Sequence, residues 1–112
     1  MENKEQLIHS MKATMELIEE TTDLFYQQKQ QVGLQNLENM IASIMVLLEN
    51  VQKYQMSQHT IILEEIHFNS ILVNAMDILA QKDYVLLADI LTFELNGVIE
   101  NSLRQLRVCA DS

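Results

Sequence analysis

Glu64 and His67 stand three residues apart in the string Glu64-Glu65-Ile66-His67. Helical bundles present one half of a di-iron site at this spacing, a carboxylate and an imidazole on one helix face. A complete site needs a second Glu-x-x-His and two further inward glutamates. The chain has no second copy, and its other histidines, His9 and His59, fall near expected helix ends. A homodimer would have to supply the missing half across its axis. Glu64 and His67 also flank the apolar stripe of their helix, so a solvated surface pair is the plainer reading and no metal or cofactor is expected.

A second constellation consists of polar residues that interrupt apolar stripes. Glu65 and Asn69 fall between Ile62 and Leu72, and Glu94 falls between Leu91 and Val98. A fold-back near Lys82 brings Asn69 roughly level with Glu94, where a carboxylate can accept a hydrogen bond from the Asn amide and offset part of its desolvation. Glu65, Asn69 and Glu94 are thus expected as a buried polar contact. It is either a site with a perturbed acid or, structurally, a register-fixing contact or glutamates leaning to the stripe edge. The structural reading is preferred, because a catalytic pocket needs more than one such group. Cys109 has no histidine near it in sequence and reads as a buried or incidental thiol, and neither a glycine-rich phosphate loop nor an H-E-x-x-H string occurs. The chain is expected not to be an enzyme.

The elements that position these residues are read from apolar spacing. Ile8, Met11, Met15, Ile18, Thr22 and Phe25 mark the seam of a first helix over 3–28, with a capping box at Asn3 and Gln6. Leu34, Leu37, Ile41, Ile44, Leu48 and Val51 mark a second seam out of phase with the first, which places a break at 28–33. From Gln35 to Gln52 the only charges are Glu38 and Glu49. A helix so apolar is either central or part of an oligomer interface, with Met40, Met45 and Leu47 as candidate interface residues.

Ser57 or Thr60 is expected to cap a third helix carrying Ile61, Ile62, Ile66, Phe68, Leu72, Ala75, Met76 and Leu79. Gln81-Lys82-Asp83 reads as a tight turn with Asp83 as the next N-cap. The fourth helix then turns Tyr84, Leu87, Leu91, Leu95 and Val98 inward and continues past Asn96-Gly97. Gln28-Lys29-Gln30-Gln31-Val32 and Gln81-Lys82-Asp83-Tyr84-Val85 echo each other at the two turns. The expected fold is all-α, one domain over 1–112: an antiparallel four-helix bundle made of two helical hairpins.

Composition agrees. Of 112 residues none is proline and two are glycine, too little turn chemistry for a β architecture, while 48% are hydrophobic, which excludes a disordered chain. The net charge of −9 argues against nucleic acid and against anionic membrane surfaces, and leaves basic segments of protein partners open. The longest apolar run, Ile44 to Leu48, is far short of a membrane span, Met1 to Glu5 opens no signal-peptide core, and one cysteine permits no internal disulfide. These point to a cytoplasmic protein.

The string Lys82 to Leu95, Lys-Asp-Tyr-Val-Leu-Leu-Ala-Asp-Ile-Leu-Thr-Phe-Glu-Leu, resembles a segment of small uncharacterised all-helical proteins of Gram-positive bacteria. In size and acidic helical character the chain is also similar to flagellar export chaperones, a likeness of architecture that transfers no residues. The helical phosphocarrier subunit of lactose-type sugar transport is rejected, since Glu100-Asn101-Ser102-Leu103 offers no phosphate-accepting histidine. Met11, Met15, Met40, Met45 and Met76 fit core gap-filling or an adaptable groove for a helical partner. The leading expectation is a non-enzymatic interaction protein, an adaptor or export-chaperone-like bundle and a possible homodimer, that binds a helical partner segment. The alternative is a small metal- or ligand-binding bundle.

Overall fold

Two turns, both made without glycine, fold the chain into hairpins. At the first, the Phe25 carbonyl accepts from the Gln28 N–H at 3.0 Å and the Leu24 carbonyl from the Lys29 N–H at 2.9 Å. At the second, the Leu79 carbonyl accepts from Lys82 at 2.9 Å and the Ile78 carbonyl from Asp83 at 3.4 Å. Such paired bonds close a helix in the Schellman manner, with one residue in the left-handed region. Gln28 (φ 63°) and Lys82 (φ 62°) occupy it, each at a cost of about 1 kcal/mol relative to glycine. Gln27-Gln28-Lys29 and Gln81-Lys82-Asp83 are therefore equivalent turns, one residue out of register with the echo seen in sequence.

The computed structural model describes residues 2–110; the side chains of Glu2, Cys109 and Ala110 lie outside that description, and with them the reading of Cys109 as a buried or incidental thiol. The elements are α1 (Glu2–Tyr26), α2 (Gln30–Gln58), α3 (Glu65–Ala80), α4 (Tyr84–Asp89), a π-helical turn over Ile90–Leu95, and α5 (Asn96–Ala110). The last three run on without a break as one rod. No strand occurs among the described residues, and no helix is long and apolar enough to cross a membrane. The fold is an all-α bundle. Its longest dimension, 44 Å, matches the roughly 43 Å that the 29 residues of α2 span at 1.5 Å each.

Helix α1, not α2, is central. It lies against α2 on one side and against α4, the π turn and α5 on the other. Its buried residues Leu7, Met11, Thr14, Ile18, Thr21 and Phe25 alternate in steps of four and three, as do Gly33, Leu37, Met40, Ile44, Leu47, Val51 and Tyr54 of α2. Beside this seam runs a polar ladder of Asn36, Ser43 and Asn50, seven residues apart. Asn36 donates to Thr21 Oγ1 (2.9 Å), Ser43 shares a hydroxyl bond with Thr14 (2.7 Å), and Asn50 donates to Ser10 Oγ (2.6 Å). The partners climb α1 as they descend α2, so the helices are antiparallel and their register is fixed by hydrogen bonds worth about 1 kcal/mol each.

Several expectations are corrected here. The break is three residues long, so Gly33 lies inside α2, where the Phe25 ring covers it. A Cβ on Gly33 would stand 2.7 Å from that ring, which also stacks on Tyr84 with centroids 5.5 Å apart. Met40 and Leu47 are fully buried on the face toward α1 and are core residues rather than interface. Met45 alone of the three is at the surface, 67% exposed. Ser57 and Thr60 cap nothing: α2 runs on to Gln58, and both hydroxyls bond back to carbonyls of α2, those of Tyr54 and Gln58. Helix α3 starts only at Glu65 and buries Phe68, Ile71, Ala75 and Ile78, which leaves Ile61 and Ile66 outside the core.

Asp83 caps the rod as expected, accepting from the Leu86 N–H at 3.2 Å. The π turn has a sequence cause. Leu87, Leu91, Leu95, Ile99 and Leu103 are all buried and all four residues apart. At 3.6 residues per turn each such step overshoots by about 40°, and a wider turn with i→i+5 bonding takes up the excess. The helix continues through Gly97, as its spacing predicts.

Candidate interaction surface

Between α2 and α3 the chain has no regular structure from His59 to Glu64, yet its backbone is tied down. His59 ends α2 in the left-handed region. Gln55 Oε1 accepts from the N–H groups of both Ile62 (3.0 Å) and Leu63 (3.1 Å), and Ser102 Oγ on α5 donates to the Ile62 carbonyl at 2.8 Å. Buried loop backbone must find such partners. Ile62 and Leu63 are thereby held in the core, and the adjoining Ile61 is turned out to 74% exposure.

Around this linker five large apolar side chains, Met56, Ile61, Ile66, Phe93 and Val108, are each 71–88% exposed. Three open grooves meet there, all bordered by Ile61. The largest, about 600 Å³, runs between α3 and the rod. Ile71, Gly97 and Val98 contribute to its lining, together with Glu64, His67, Phe93 and Glu94. A second, about 450 Å³, lies beside Met56, Ile66, Glu64 and Glu65. The third, about 400 Å³, includes Ile61, Arg104 and Val108. Clustered apolar exposure of this kind marks sites of association more often than scattered single residues do.

The structure thus brings Glu64, His67 and Glu94 to one groove, and places Glu65 in the next. It does not form the expected buried contact of Glu65, Asn69 and Glu94. Asn69 and Glu94 are exposed, Glu65 is half-buried, and no hydrogen bond joins them among the described residues. The reason is phase. The true seam of α3 passes through Phe68 and Ile71, which leaves Asn69 one position off it, and the rod's four-residue seam through Leu91 and Leu95 turns Glu94 outward. Among the described residues no three His, Cys, Asp or Glu side chains are grouped so as to hold a metal ion.

Residue type alone does not mark Phe93 or Val108 as surface residues, and spacing marks Gly97 only as a point that the fourth helix passes through. The signal for Phe93 was present, since it stands two residues from both Leu91 and Leu95 and so points away from their seam. Ile61 and Ile66 share the apolar character of the buried stripe; Ile66 lies off the Phe68–Ile71 seam of α3, and Ile61 lies in the linker, turned outward because Ile62 and Leu63 are held in the core.

At the opposite end of the bundle the Tyr26 hydroxyl donates to the Asp89 carboxylate, tying the end of α1 to the rod. This bond chiefly, with desolvation second, raises the Tyr26 pKa above its ordinary 10.0. The two ends are otherwise unlike: the Tyr26 end is closed by short turns and the linker end is open.

No protein-family model matches the chain, and neither a curated protein nor a solved structure matches it.

Proposed function

We propose that the chain is a non-enzymatic helical interaction protein, an adaptor or export-chaperone-like bundle, whose linker end receives a helical segment of a protein partner. The observation that carries this reading is the convergence of five strongly exposed apolar side chains on a linker whose backbone is pinned by Gln55 and Ser102. A preformed apolar groove lowers the ordering cost of binding. A cytoplasmic setting accords with the single cysteine and the acidic charge. The architectural likeness to flagellar export chaperones agrees with such a role. Site-specific photo-crosslinkers at Ile61 and Phe93, with controls at Val32 and Val46 on the outer face of α2, test the reading in the source cell. Adducts at the first pair alone are expected. Equal yields at all four positions, or none at Ile61 and Phe93, would reject it.

A second reading, a small ligand-binding bundle, draws on the lining of one groove of about 600 Å³ by Glu64, His67 and Glu94; its metal-binding form has no grouped ligand set among the described residues. Zn²⁺ is accordingly expected to leave the melting temperature unchanged, and a rise in the wild-type chain that His67→Ala removes would restore the metal form.

A further inference from the structure

The two glycines differ in what their missing side chains do. Gly33 has an internal reason: the Phe25 ring occupies the space of its Cβ. Gly97 has none, because an added Cβ would meet nothing within 4 Å beyond its chain neighbours and its own helix backbone. Glycine inside a helix nevertheless costs about 1 kcal/mol relative to alanine. Gly97 is exposed, lies in the turn after the π segment, and sits on the wall of the largest groove, one turn beyond Phe93. A bare backbone at that point lets another helix approach more closely than side chains would permit.

The rim of the same groove is acidic. Glu64 and Glu94 border it and Glu65 borders its neighbour; among the described residues no lysine or arginine lines either of these two grooves, and Arg104, on the third, is paired with Glu100 at 2.9 Å. With a chain charge of −9, a second copy would bring like charge to this rim. No sheet edge exists among the described residues to receive an extended segment.

We infer that the linker end is a receptor for a basic amphipathic helix of a partner protein. The partner's apolar face covers Ile61 and Phe93, its backbone crosses the rod at Gly97, and its flanking Lys or Arg residues face Glu64 and Glu94. This inference rests on the interaction reading above and adds the partner's chemistry and its crossing point.

The test uses synthetic amphipathic peptides of about 18 residues, five helical turns, sharing one leucine face and one tryptophan and differing only in Lys, Gln or Glu flanks. The chain contains no tryptophan, so peptide fluorescence reports binding to the full-length protein directly. The Lys-flanked peptide is expected to bind roughly tenfold or more tighter than the Glu-flanked one at low salt, with the difference shrinking as salt is added. Gly97→Leu is expected to weaken binding by roughly tenfold or more through steric block with no fall in melting temperature. Gly97→Ala is the milder companion variant, and Phe93→Ser is expected to weaken binding without loss of helix content.

Equal binding of all three peptides would overturn the basic-partner inference while leaving the interaction reading intact. Unchanged binding by Gly97→Leu would remove the crossing point. A dimer in light scattering that Phe93→Ser dissolves would assign the surface to a second copy and overturn the inference. Absence of peptide binding overturns it too, and only absence of crosslinks at Ile61 and Phe93 as well would reject the interaction reading.

Discussion

The two hairpins solve the same packing problem to different degrees. In the first, α1 and α2 are long, nearly equal partners whose seam is apolar and whose flank carries the ladder Thr21–Asn36, Thr14–Ser43 and Ser10–Asn50. Gly33 lets the Phe25 ring close over its end. In the second, the 16 residues of α3 face a rod running from Tyr84 to Ala110, and an irregular linker covers the remainder. That mismatch leaves Ile61, Ile66 and Phe93 in solvent. The first hairpin closes its seam and leaves Val32, Met45 and Val46 along the outer face of α2, whereas the linker and the second hairpin gather their most exposed apolar side chains at one end, and the contrast separates stability from binding within a single domain.

The contrast is sharpest at Phe25, held between Gly33 and Tyr84. Phe25→Ala should destabilise the fold by about 3–5 kcal/mol, seen as a large fall in denaturant midpoint, whereas Phe93→Ala should change it by less than about 0.5 kcal/mol. Next in size, Gly33→Leu should cost about 1–3 kcal/mol by overpacking against the Phe25 ring. Gly97→Ala should instead raise stability by about 0.5–1 kcal/mol. If both glycine replacements acted in the same direction, the assignment of one glycine to the core and the other to the surface would be wrong.

Most of the first hairpin was legible in sequence. Spacing picks out the buried Leu37, Ile44 and Val51 because every second core position of a heptad recurs at seven. At the alternate positions it points to Leu34, Ile41 and Leu48, which are half-buried. Met40 and Leu47 take those places, since either neighbour is apolar and only the partner helix decides between them. In the second hairpin Leu87, Leu91 and Leu95 were legible as inward residues. The surface around the linker was not, because an apolar residue left in solvent carries the same letter as one in the core. Asn69 and Glu94 look buried in a linear stripe and are not once the phase of each helix is fixed.

Smaller effects concern the turns and the ladder. Asp83→Ala should cost about 1 kcal/mol by removing the cap on Leu86. Thr14→Val and Ser43→Ala should each cost about 1 kcal/mol, and together less than their sum, because the second replacement no longer leaves a polar partner stranded. Double-mutant denaturation measures this coupling. Gln28→Gly and Lys82→Gly should each stabilise by up to about 1 kcal/mol, since glycine adopts the left-handed conformation without strain.

The smallest effect is a pH dependence at the closed end. The Tyr26 pKa is raised in the folded state, chiefly by its bond to Asp89. Its contribution is therefore fully present below the ordinary tyrosine pKa of 10.0 and lost as pH rises through the higher folded value. Tyr26→Phe should abolish that part of the alkaline fall in melting temperature. A wild-type and a variant curve that remain parallel from neutral to alkaline pH would show that the bond contributes nothing.

The most direct test of the open-end account is an amide chemical-shift map of the full chain titrated with the Lys-flanked peptide. The account predicts perturbations concentrated at Ile61–Ile66 and Phe93–Asn101, with Thr14, Ser43 and the outer face of α2 unmoved. Perturbations centred on Met45 and Val46, or spread evenly along the bundle, would contradict it.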